Sequence, residues 1–78
     1  GKNPEMIGED LAEKALNSRL TVLSSRKAVI KKGERERLCY EFACNYGEDG
    51  YFVYVDAFSG EEIQVNRVLA TAQGQYLR

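Results

Sequence analysis

The stretch Tyr51-Phe-Val-Tyr-Val-Asp-Ala-Phe-Ser-Gly60 decides how the rest of the chain is read. Along a strand, Tyr51, Val53 and Val55 point to one side, and Phe52, Tyr54 and Asp56 to the other. Both sides are rather apolar, which predicts a central strand partly covered on both faces. Asp56 then opens a turn. Its carboxylate is placed to accept from backbone N–H groups two or three residues on, and Gly60 closes the loop in the left-handed conformation. Glu61 to Leu69 is expected to return as the last strand, with Ile63, Val65 and Val68 inward. Ala70 to Arg78 shows no strong pattern, and either adds an edge segment or frays.

Upstream of this stretch, Gly47-Glu-Asp-Gly50 reads as a hairpin connection in which Asp49-Gly50 supplies the positive φ. Arg35 to Tyr46 reads as a long strand before it. Its even positions (Leu38, Tyr40, Phe42, Cys44, Tyr46) make a core face. Its odd positions (Cys39, Glu41, Ala43, Asn45) make a face mostly for water. Lys32-Gly33-Glu34 is a turn, and Lys27 to Lys31 a strand of β-branched residues flanked by charge. Leu20 to Ser25 reads as an extended connection with an apolar anchor. Asn3 and Pro4 suit the opening of a helix. Gly8 weakens its first turn, so regular winding is expected from Glu9 or Asp10 to about Asn17-Ser18. Ile7, Leu11, Ala15 and Leu16 would form its apolar stripe, with Ala12 beside it. So short a helix needs a sheet to lie on. The expected fold is therefore α+β: one N-terminal helix packed on an antiparallel meander of three to four strands.

Seventy-eight residues make one domain, read here as a fragment of a longer chain. There is no run of 18 apolar residues, so no membrane span and no membrane contact by this fragment are expected. A net charge of −1 argues against a general nucleic-acid binder. The signs are unevenly spread, however. Arg26, Lys27, Lys31, Lys32, Arg35 and Arg37 crowd one segment against Glu34 and Glu36. These six are the candidate interaction surface; the commoner meaning of such a run is a solvated face.

Residues able to carry chemistry are sparse. Cys39 and Cys44 would lie roughly 17 Å apart on one strand, and a disulfide needs about 4.4–6.8 Å, so they cannot pair with each other. The chain has no His, which leaves too few good ligands for zinc and no partner to activate a thiol or hydroxyl. Glu48-Asp49 and Glu61-Glu62 sit in or after turns, where neighbouring carboxylates are usually solvated. The glycines are spaced as turn glycines, without a phosphate-cradling signature. Tyr40, Tyr46, Tyr51 and Tyr54 are best explained as cross-strand packing with hydroxyls at the rim. No catalytic residue, metal ligand or cofactor site is expected.

The run from Tyr51 to Ile63 resembles the signature of PepSY domains, an aromatic–Val–Tyr–Val–Asp–Ala–x–Ser–Gly pattern after a helix and antiparallel strands. Tyr54, Asp56 and Gly60 fall on that motif and are read as structural. Leu38-Cys-Tyr-Glu-Phe42, leading into Tyr51 to Gly60 and Glu61-Glu62-Ile63, more narrowly resembles the C-terminal end of the YpeB family of spore germination proteins. That resemblance implies a non-enzymatic, extracytoplasmic interaction or regulatory module on the membrane–cortex side of the spore. Its protein partner would be a cortex-lytic hydrolase. Inhibition or chaperoning of a secreted peptidase is the alternative, and a small ligand-binding domain or enzyme the second.

Overall fold

The computed structural model describes residues 5–71 and 74–77, with side chains to residue 68. One short helix precedes an antiparallel meander: α1 (Glu9–Glu13), β1 (Thr21–Lys32), β2 (Arg35–Tyr46), β3 (Asp49–Asp56), β4 (Glu62–Thr71) and β5 (Gly74–Leu77). The sheet order follows the chain, β1-β2-β3-β4-β5. The α+β class stands, with four long strands and a short fifth drawn from the segment that showed no pattern. β3 lies at the centre, as its two apolar sides require.

The core forms on one face of the sheet. Ala12, Tyr40, Phe42, Cys44, Val53, Val55 and Ala57 are buried together, with Met6, Ile7, Leu16 and Leu20 packed against them. The helix is shorter than expected. After Glu13, the bonds from Lys14, Ala15 and Leu16 each reach three residues back rather than four, which tightens the winding and ends it. The Asn17 side chain then accepts the Arg19 N–H at 2.9 Å, turning the chain toward β1. The buried helix position is Ala12; Leu11, expected in the apolar stripe, is exposed. Among the described residues, helix α1 packs on β2 and β3 only. That is why Val65, expected inward, is half exposed although it pairs with buried Val53. The Asn3-Pro4 cap lies outside the described residues. Gly8 serves as the N-cap, with no side-chain cap bond.

Other departures have local causes. Thr21 to Ser25 is strand, not connection, because β2 offers backbone partners as far as Asn45; a bulge between Val22 and Ser24 absorbs Leu23. The β2–β3 turn is Gly47-Glu48, with Gly47 at φ 61°, and Asp49-Gly50 already belongs to β3. A glycine at the first central position of a two-residue hairpin suits a primed turn. Among the described residues, no helix is long and apolar enough to cross a membrane.

Candidate functional site

Antiparallel register sorts side chains by face, because residues directly opposite each other project the same way. Arg26, Glu41, Tyr54 and Gln64 form one row across β1, β2, β3 and β4. This row lies on the face away from α1. Expected to meet water, that face is instead closed at its centre, where Cys39, Glu41 and Tyr54 are buried. The reason is hydrogen bonding across the strands. Arg26 Nε donates to Glu41 Oε1 at 2.7 Å, and the Tyr54 hydroxyl donates to Glu41 Oε2 at 2.6 Å. Gln64 Nε2 extends the row to Asn66 Oδ1 at 3.3 Å.

The titration of this row follows from its contacts. Burial alone would raise the Glu41 carboxyl, but bonds from Arg26 and Tyr54 and the charge of Arg26 hold it below the usual carboxylate range. Burial, then the bond to Glu41 and its charge, push the Tyr54 phenol up to about 12. Tyr54 is thus a neutral donor to an ionised acceptor. Its hydroxyl lies inside the face rather than at a rim.

Asp56 ties the end of β3. Its Oδ1 accepts the N–H groups of Phe58 and Ser59, both at 2.8 Å, and its Oδ2 pairs with Arg37 Nη2 at 2.8 Å. Burial opposes ionisation here too, but the two backbone donors and Arg37 outweigh it and lower the carboxyl. Gly60 stands at φ 77° and sends its N–H to the Asp56 carbonyl at 2.9 Å. The N-terminal segment lies over this turn. Ile7 donates its N–H to the Ala57 carbonyl, and its own carbonyl accepts the Tyr40 hydroxyl, both at 2.7 Å.

The six basic residues do not form one patch. By register, Arg26, Lys32, Arg35 and Arg37 lie on the second face, whereas Lys27 and Lys31 lie on the helix side. Arg26 and Arg37 are engaged by Glu41 and Asp56. Lys32 and Arg35 face each other directly and have no ion-pair partner among the described residues. Beside them is a cavity of about 580 Å³, between the start of β2 and the turn at Phe58-Ser59. Cys39 and Cys44 are free thiols. Burial pushes both upward, helped by the charge of Asp56 at Cys39 and of Glu13 at Cys44. Among the described residues, no three His, Cys, Asp or Glu side chains gather as metal ligands.

Sequence reasoning missed Glu41. The signal was available: a lone acid between Tyr40 and Phe42, in the middle of a strand, must be either solvated or paired.

No known family profile matches the chain. The sporulation protein YpeB of Halalkalibacterium halodurans is 36% identical across 86% of this chain. The match occupies 15% of that protein. Among solved structures, the Bacillus megaterium YpeB C-terminal domain superposes with a TM-score of 0.77 at 32% identity, over 86% of this chain and 30% of that one. In sequence and fold this chain is a YpeB C-terminal-like domain that spans only part of each relative's length.

Proposed function

We propose that this YpeB C-terminal-like domain is a non-catalytic interaction module of a spore germination protein, acting outside the cytoplasmic membrane in support of a cortex-lytic hydrolase. The likeness to a sporulation protein, 36% identical over 86% of the chain, carries this reading.

The chemistry of the two buried carboxylates supports the non-catalytic part. A general acid or base works best with a pKa near the operating pH. Glu41 and Asp56 are both lowered, and each is already hydrogen-bonded at both oxygens. They act as anchors for Arg26, Tyr54, Arg37 and a turn.

The test is retention on the immobilised domain from extracts of sporulating cells. A cortex-lytic hydrolase, identified by mass spectrometry, is the expected catch. A secreted peptidase in its place overturns the choice of partner and favours an inhibitor or chaperone role. Retention of nothing above a bare-resin control overturns the module reading.

A further inference from the structure

The β1–β2 hairpin is longer than the pairing of β2 with β3. β2 pairs with β1 from Arg35 onward, but its pairing with β3 begins only at Cys39, opposite Asp56. There the chain leaves the sheet for the Asp56-to-Gly60 turn. Among the described residues, Arg35–Leu38 therefore has strand β1 on one side and no strand on the other.

Backbone direction can be read along this free edge. The Leu38 carbonyl accepts the Ala57 N–H at 3.0 Å, so it points away from β1. In an antiparallel ladder, a residue's N–H and C=O point to the same side, and that side alternates along the strand. Glu36, two residues before Leu38, therefore presents both backbone groups to the gap. Among the described residues, nothing from the turn bonds to them. Unpaired strand edges of this kind are templates for an added strand.

The side chains around the gap give it a charge preference. Lys32 and Arg35 are exposed and directly opposed. Like charges so placed are destabilising until an anion lies between them. Among the described residues, no neighbouring acid, Glu34 in the hairpin turn included, forms an ion pair with either of them. Asp56 is engaged by Arg37 and two backbone N–H groups. Glu36 projects to the helix side, opposite Lys31. Phe58 supplies an exposed apolar wall. The cavity volume, about 580 Å³, lies within the ordinary range for a ligand pocket.

We infer that this notch receives a short extended segment of an acidic protein partner, its backbone pairing with Glu36 and a carboxylate meeting Lys32 and Arg35. The inference rests on the interaction-module reading and gives that module a contact site.

The probe is a synthetic pentapeptide, acetyl-Thr-Glu-Val-Glu-Thr-amide, titrated into the isotope-labelled chain and followed by amide NMR. Its central residue pairs with Glu36, which sets one acid opposite Arg35, in the row of Lys32, and the other opposite Arg37 on the same face. The largest shifts should fall on the amides of Glu36, Arg35 and Ser59. Three changes are each expected to weaken binding about tenfold: Gln for both Glu, N-methylation of the Val amide, and the double variant Lys32→Ser/Arg35→Ser. Both substituted side chains are exposed, so the variant should melt no lower than the parent chain.

Equal binding of the Gln peptide, or unchanged affinity of the double variant, overturns the proposal. Shifts confined to the outer edge of β1 also overturn it. So do the same shifts with inorganic phosphate, which would make this a simple anion site. Shifts that grow with protein concentration alone would assign the edge to a second copy, and again overturn it. The extract experiment separates the two readings. A double variant that still retains the parent's hydrolase removes the notch and leaves the module reading standing, whereas a parent chain that retains nothing removes the module reading.

Discussion

Tyr54→Phe isolates one hydrogen bond at the centre of the second face. The Tyr54 hydroxyl donates to Glu41 Oε2 at 2.6 Å, and both residues are buried. Phenylalanine fills the same space, so only the hydroxyl is removed. A hydrogen bond to a charged group contributes roughly 1.5–3 kcal/mol. Arg26 still bonds Glu41 in the variant, so a loss of about 2 kcal/mol at neutral pH is expected. The alkaline limb is more diagnostic. Tyr54 is raised to about 12 by burial and by the Glu41 bond and charge, whereas an unfolded tyrosine ionises near 10. The folded chain keeps its proton where the unfolded chain has released it. The stabilisation from this group is therefore fully present below about pH 10 and is lost as pH rises through about 12. Two pH units amount to roughly 2–3 kcal/mol in all, of which about 1 kcal/mol is gone by pH 11. Urea unfolding followed by circular dichroism at pH 7, 10 and 11 reads both effects. The gap between parent and variant should be about 2 kcal/mol at pH 7 and narrow by about 1 kcal/mol at pH 11. A gap under about 0.5 kcal/mol at neutral pH, or one that stays constant from pH 10 to 11, refutes the buried donor–acceptor pair.

Gly60→Val forces a β-branched residue to φ 77° and brings its Cβ to 3.2 Å from Ile7 Cδ1. The expected cost is on the order of 2 kcal/mol, a fall in melting temperature of roughly 10 °C by calorimetry; an unchanged Tm contradicts it. Asp56→Ala removes the acceptor of two backbone N–H groups and the partner of Arg37, a loss of about 3 kcal/mol in urea unfolding. Asp56→Asn keeps a turn acceptor and should lose about half as much. Because Glu41 and Asp56 are both lowered when folded, their stabilisation is present above about pH 4 and disappears as pH falls through their folded values. The parent chain should therefore lose stability below pH 4 more steeply than Glu41→Gln/Asp56→Asn; parallel acid curves would contradict this. Phe42→Ala empties a fully buried site at a cost of about 3–5 kcal/mol. That approaches the whole stability of a domain this small, and native-like circular dichroism at 37 °C would show the core to be more tolerant than its packing implies.

Much of this fold was legible because strands declare themselves by alternation and turns by their residues. β2 is read from Arg35 to Tyr46 by sequence alone, and the structure gives the same bounds. The Asp56 turn is legible because an Asx side chain and a glycine four positions on leave few conformations. The end of α1 and the start of β1 were not legible. Thr21 to Ser25 is strand because β2 is there to pair with, a fact that no local propensity contains. Helix α1 stops at Glu13 because three-residue bonds and Asn17 take the chain to that strand. At the candidate site, segment proximity gave the basic residues a false unity. Pairing register divides them between two faces, and only the partner strand sets that register. The role of Glu41 was hidden for the same reason, since Arg26 and Tyr54 come from different strands.

The two faces of the sheet also constrain where a partner can bind. Covering the second face would desolvate the exposed Arg26 and make the Arg26–Glu41 pair fully buried. Such pairs tend to lose more in desolvation than they regain. The hairpin end has the opposite balance. Lys32 and Arg35 repel each other until an anion arrives, and Glu36 lacks a backbone partner among the described residues. Two charge reversals separate these roles. Arg26→Glu sets a carboxylate against Glu41 and should lower the melting temperature, while leaving pentapeptide affinity unchanged. Lys32→Glu should leave melting unchanged or raise it, because a cation pair is replaced by opposite charges facing Arg35. It should also weaken the acidic peptide by more than the neutral Lys32→Ser change does. If Arg26→Glu were instead to abolish peptide binding in a chain that still folds, the partner would lie across the second face, and the notch would not be its seat.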